Sequence, residues 1–230
     1  NLTVDLGALG AGSAGGERHN LLIDDTEAVC DRLVQADRVA FICDNVGADS
    51  LYDLALADHL LRQGWASRIT LHLKAHPFFV SDASSADVRQ TVTRISKTAP
   101  SPLSSLGTRL SRAIDAGTLA LIDDPFWNGP ELFDAVPAHL QDRLAEADLV
   151  ILKGDVNYRR LLGDRHWPYH ADLSEIARTF APGIPRPFLV LRTLKGEILV
   201  GLARGQAAAL ATEDPTWLIN GQRGIVQLVT

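Results

Sequence analysis

Four places in the chain set acids, amides and bases directly after short apolar runs. Arg38 to Cys43 ends on Asp44-Asn45, with Gly47 just beyond. Arg68 to Lys74 leads through a loop to Ser81-Asp82. Asp148 to Leu152 gives way to Lys153-Gly154-Asp155-Val156-Asn157-Tyr158-Arg159, and Pro187 to Leu191 gives way to Arg192-Thr193-Leu194-Lys195. Two adjacent polar side chains closing an apolar strand suit a core poorly and a hard cation well. A donor set of Asp, Asn and Asp is all oxygen, which fits Mg2+ or Mn2+ with waters completing an octahedron. Carboxylates crowded together repel and do not all stay ionised unless a cation separates them. For a single Asp at a strand end the plainer account is a helix cap or a turn. Agreement among several strand ends argues for a site.

The elements that must carry these residues are readable from periodicity. The apolar runs have strand length, and Leu119 to Ile122, ended by Asp123-Asp124-Pro125, and Ile225 to Val229 are two more. Between them lie segments with helical spacing: one capped by Asp25 or Thr26 with Val29, Leu33 and Val34 on a face, one from about Asp49 with Leu51, Leu54, Leu60 and Leu61, then 87–96, 102–116 and 137–146. Strands alternating with helices predict an α/β fold, a three-layer, doubly wound, mostly parallel sheet with helices on both faces, Rossmann-like. In such sheets ligands collect outside the carboxyl ends of the strands, where the polar residues above converge.

Composition narrows the function class. The 230 residues are 46% hydrophobic, enough for a sizeable core. A net charge of −6, with no basic run longer than two residues, argues against a nucleic-acid surface. Cys30 and Cys43 both sit in apolar patterns, which suits a reducing cytoplasm, and no segment has membrane-spanning length. Gly10-Ala11-Gly12-Ser13-Ala14-Gly15 spells G-x-G-x-x-G, but no helix pattern follows, so a surface loop is the better reading. His72 and His76 read as structural rather than as a metal pair, because one falls within a strand and the other in a loop. Phe78 and Phe79 read as core or loop anchors, and Trp127 either lines a pocket or packs on the sheet.

Taken in order, the motifs resemble the damage-control phosphatase family, also described as acidic-residue methyltransferases. Asp44-Asn45-Val46-Gly47 matches its D-N-x-G element, and Pro77 to Asp82 resembles P-x-F-V-S-D. Lys153 to Arg159 resembles K-G-D-x-N-Y-R, Arg192 to Lys195 matches the R-T-x-K of its sugar-phosphate branch, and Gly224 onward resembles its last strand. The resemblance implies that Asp44, Asn45 and Asp82 ligate the metal and that Asp155, Asn157, Tyr158, Arg159, Arg192 and Lys195 reach the substrate. Asp49 stands where the family usually has Glu, so that substrate contact is shorter here. It also implies an N-terminal helical domain packed on this one. Residues 1–20 are then expected to be its glycine-rich tail, and 21–230 a single α/β metal-phosphatase domain.

The expected function is hydrolysis of small phosphorylated metabolites, sugar phosphates such as fructose 1-phosphate, with Mn2+ or Mg2+ as cofactor and Co2+ or Ni2+ as alternatives. Asp44 and Asp155 are the expected catalytic residues, Asp155 orienting water, and Lys195 is a compact charge on the phosphate. Neither nucleic acid nor membrane is expected as a partner. Two rivals stay open: an S-adenosylmethionine-dependent protein carboxyl methyltransferase, and a non-catalytic binding domain.

Overall fold

The strands of this computed structural model form where the apolar runs are. They are β1 (Leu21–Asp24), β2 (Arg38–Ile42), β3 (Arg68–Lys74), β4 (Leu119–Asp124), β5 (Leu149–Lys153), β6 (Phe188–Thr193) and β7 (Gly224–Val229). The helices are α1 (Thr26–Gln35), α2 (Ala48–Gln63), α3 (Ser85–Ser96), α4 (Pro102–Ala116), α5 (Ala138–Ala145), α6 (Gly154–Leu161), α7 (Leu173–Phe180) and α8 (Gln206–Glu213). The structure describes residues 20–77 and 81–230. The expected tail, apart from Asn20, and Phe78 and Phe79 lie outside the described residues. No helix among the described residues is long and apolar enough to cross a membrane.

The sheet runs β1-β7-β6-β5-β2-β3-β4. Strands β2 to β6 are mutually parallel, which puts the carboxyl ends of β6, β5, β2 and β3 side by side. Strand β7 pairs antiparallel with β6, and β1 parallel with β7, so this edge pair runs the other way. The central strands read as continuous apolar runs because both their faces are covered. Alternation sorts their side chains into two cores. Val39, Phe41, Ile69, Leu71, Leu149 and Ile151 pack with α1 to α4. Ala40, Ile42, Val150, Leu152, Phe188 and Val190 pack with α5 to α8. The three-layer expectation therefore holds.

Capping explains several boundaries. Helix α3 starts two residues earlier than its periodicity suggests, because Ser84 and Asp87 close a reciprocal capping box. Helix α4 has Ser101 as cap, Pro102 in its first turn and Gly117 in the left-handed conformation after it. Two local expectations are corrected. Val34 turns outward, 54% exposed, leaving Val29 and Leu33 as the buried stripe of α1. Asp25 does not cap α1 through its side chain; its Oδ2 accepts the Leu228 N–H at 2.9 Å and ties the helix to β7.

His72 and His76 do not pair: His72 is fully buried in β3 and His76 is exposed. Trp127 is also buried and meets the His72 ring edge-on at 5.6 Å. Neither His72 nitrogen has a hydrogen-bond partner among the described residues. Burial, reinforced by the Arg143 charge and opposed by Asp124, lowers its pKa to about 4. The unfolded imidazole titrates near 6.5, so between about 6.5 and 4 the unfolded chain binds the extra proton. The contribution is fully present above that window and is lost as pH falls through it, about 3 kcal/mol in all. Denaturant unfolding from pH 7 to 4 should show His72→Phe losing less stability than wild type; parallel curves would exclude the effect.

Candidate active site at the carboxyl edge of the sheet

Beyond Ile42, the chain leaves the sheet as Cys43-Asp44-Asn45 and enters α2 through Gly47, whose φ of +82° favours glycine. The segment after the β3 loop lies along it. Val46 N donates to Ser81 O at 2.7 Å, Ala83 N to Asp44 O at 3.1 Å, and Lys74 N to Ala83 O at 2.9 Å. An antiparallel bridge sets Asn45 against Asp82, and the Asn45 Oδ1 accepts the Ser81 hydroxyl at 2.9 Å. Residues 37 positions apart in sequence are thus neighbours through backbone pairing.

Asp44 and Asp82 are 5% and 4% exposed, and Lys74, at 3%, stands between them. Its Nζ lies 3.1 Å from Asp44 Oδ1 and 2.7 Å from Asp82 Oδ1. Burial raises the Asp44 carboxyl pKa, and the Lys74 charge opposes that rise. The expected clash of unscreened carboxylates is therefore corrected: β3 delivers an internal ammonium to the pair. Behind Asp44 the backbone at the start of α6 passes so close that a Cβ on Gly154 would meet Asp44 Oδ2 at 2.0 Å.

A cleft of about 270 Å3 opens on the α2 side of this edge. Asp44, Asn45, Asp49, Asp155, Arg192 and Lys195 line it, so six of the expected site residues are brought together. Asp82 is held against Asn45 but borders a neighbouring recess with Lys74 and Trp127. Asp155, in the first turn of α6, accepts Arg192 Nε at 2.8 Å and lies 2.6 Å from Arg192 Nη2. The Arg192 guanidinium is wholly buried, donates to the carbonyls of Gly196 and Ile198, and rests 4.4 Å above the Tyr158 ring. It shapes the wall and fixes Asp155, with its nitrogens committed to protein.

Three expected substrate contacts are not in the cleft. Helix α6 begins at Gly154, so its 3.6-residue turn carries Asn157 and Tyr158 inward. Asn157 Nδ2 donates to the carbonyls of Cys43 and Lys153 at 3.2 and 2.9 Å, fastening β2 to α6. The Tyr158 hydroxyl accepts the Val200 N–H at 3.1 Å, and burial pushes its pKa to about 12. Arg159 pairs with Asp164 at 2.7 and 3.0 Å, outside the cleft. Sequence reasoning also missed residues. Lys153 opens a motif and Lys74 closes an apolar run, but Asp53 carries only a helix-face signal, four residues after Asp49.

A family profile described as "Damage-control phosphatase ARMT1-like domain" matches residues 7–210. The chain belongs to the ARMT1-like damage-control phosphatase family. Damage-control phosphatase ARMT1 of Danio rerio is 36% identical over 222 residues, covering 90% of this chain and 48% of the relative. The Mus musculus protein of that name is 36% identical, covering 90% and 49%. The Homo sapiens one is 34% identical, covering 84% and 44%. The chain spans about half the length of these ARMT1 relatives. A crystal structure of a DUF89 family protein from Pyrococcus horikoshii aligns with a TM-score of 0.46 at 17% identity, over 79% of this chain and 51% of that one.

Within this ARMT1-like domain no group of three or more His, Cys, Asp and Glu side chains forms a metal site among the described residues. The set that fits a metal is mixed. Two carboxylates and one amide supply oxygen only, the choice of a hard divalent ion. Lys74 binds Oδ1 of Asp44, and Gly154, by lacking a side chain, leaves room for Oδ2, which the Asn45 amide approaches at 3.4 Å.

Proposed function

We propose that this domain is a metal-dependent phosphatase of small phosphorylated metabolites, with sugar phosphates such as fructose 1-phosphate as the substrate class. The observation that carries the reading is the cleft itself. Asp44 and Asn45 line it together with Lys195, which is exposed and makes no ion pair among the described residues. A volume of about 270 Å3 is at the small end for ligand pockets, which fits a metabolite.

Asp44, Asn45 and Asp82 would hold a Mn2+ or Mg2+ ion, which in such sites polarises a phosphoryl oxygen and lowers the pKa of water. Lys195 binds the phosphate as a point charge. Asp155, locked by Arg192, orients the attacking water. Lys74 keeps Asp44 and Asp82 in register. The motif Arg192-Thr193-Leu194-Lys195 supports the sugar-phosphate class by its likeness to that branch of the family.

The test is release of inorganic phosphate from fructose 1-phosphate by the purified chain, with Mn2+ or with excess chelator. Turnover should require the ion. Lys195→Ala should lower kcat/KM at least about tenfold, since a hydrogen bond to a charged group contributes about 1.5–3 kcal/mol. Full activity in chelator would overturn the metal assignment. Methyl transfer from a sulfonium donor without hydrolysis would favour the methyltransferase reading.

A further inference from the structure

Three cations line the cleft: Lys153, Arg192 and Lys195. Arg192 is wholly buried and bound to Asp155, Gly196 and Ile198. Lys153 differs. Its side chain is 19% exposed and its Nζ lies 2.8 Å from Asp53 Oδ1, itself 6% exposed. An ammonium has three donors, and this pair uses one of them.

Position adds to the argument. Strand β5 lies between β2 and β6, so the end of β5 stands between the Asp44-Asn45 donors and the Arg192-to-Lys195 segment. The backbone of Lys153 is fixed as well, since its carbonyl accepts Asn157 Nδ2 at 2.9 Å. Asp53, one turn beyond Asp49 on α2, then holds the side chain. The result is a cation held in place at low exposure, midway across the cleft.

We propose that Lys153 is a second phosphate-binding cation of this cleft, held by Asp53, and that an anionic phosphoryl group is bound between Lys153 and Lys195. The inference rests on the phosphatase reading and extends it to a residue that neither motif likeness nor charge pattern assigned to the substrate. Arg192 passes to a supporting role, and the two lysines share the anion. Asp53 is a positioning residue: it touches Lys153 rather than substrate.

The test is calorimetric titration of the chain with inorganic phosphate in the presence of Mg2+, which needs no turnover. Lys153→Met should weaken phosphate binding at least about tenfold, the scale of a lost charged hydrogen bond. Lys153→Arg should keep most of it. Lys153→Gln retains an amide donor for Asp53, so a fold lost in the methionine variant does not end the test; it should weaken binding as strongly. If Lys153→Gln melts near wild type and binds phosphate with unchanged affinity, Lys153 only clamps α2 to β5 and the proposal fails. If wild type itself binds no phosphate, the phosphatase reading falls and takes this inference with it.

Discussion

Lys74→Met should lower the metal-free melting temperature by roughly 6–20 °C and make the fold depend on a divalent ion. Asp44 and Asp82 are almost fully buried, and the Lys74 ammonium touches both. Removing one partner of a buried ion pair costs about 3–5 kcal/mol, because the charge left behind has lost its solvent and its partner. Here two carboxylates would be left facing each other. For a domain of this size each kcal/mol moves Tm by about 2–4 °C. A divalent ion on the same carboxylates should then return much of the loss, about 2.7 kcal/mol at a hundredfold excess over Kd. Wild type, with its own internal cation, should respond less. Thermal melting of both proteins across a Mn2+ titration reads this directly. A variant that melts within a few degrees of wild type without metal would show that Lys74 is not the counter-charge. One that melts low and ignores Mn2+ would show that the two carboxylates do not bind it.

Gly154→Ala should disable the site and the fold together. Gly154 has φ of +86°, a region that costs an alanine about 1–2 kcal/mol. The added Cβ would also stand 2.0 Å from Asp44 Oδ2 and 2.6 Å from its Cγ. Asp44 is buried and held by Lys74, so it has no cheap way to withdraw. Gly64→Ala supplies the control: φ is +69° there, and nothing lies within 4 Å of the new Cβ. Gly64→Ala should cost only the backbone strain and leave turnover near wild type. Gly154→Ala should cost about 2 kcal/mol more, in the range of overpacked cores, and lose at least about a hundredfold in kcat/KM. Equal denaturation midpoints for the two variants would mean that the close approach to Asp44 carries no energy.

Both predictions turn on Asp44, whose place was legible in the sequence for a plain reason. A buried parallel strand needs an unbroken apolar run, so Val39 to Cys43 could hardly be anything else, and whatever follows it lies at the carboxyl edge. The same logic located Lys153, Arg192 and the segment leading to Asp82. Helix limits were legible wherever a cap was local, as with Ser101, Pro102 and Gly117 around α4. Asp25 misled because the atom it satisfies belongs to β7, some two hundred residues away.

Local patterns set the alternation of elements, the edge at which polar groups gather and, through ordered motifs, the family. The partners within that edge were decided only by tertiary structure. Lys74 reaches Asp44 and Asp82 because β3 lies next to β2 and the chain turns back along Asn45. Lys153 finds Asp53, and Arg192 finds Asp155, because the sheet order sets β5 between β2 and β6. Asn157 and Tyr158 turned inward because α6 starts at once after β5, and helical rotation, not motif membership, chose their direction. Strand and helix periods act over a few residues and leave a local signature. Charge pairing acts across strands whose order no local pattern encodes, so which acid meets which base is fixed only when the sheet closes.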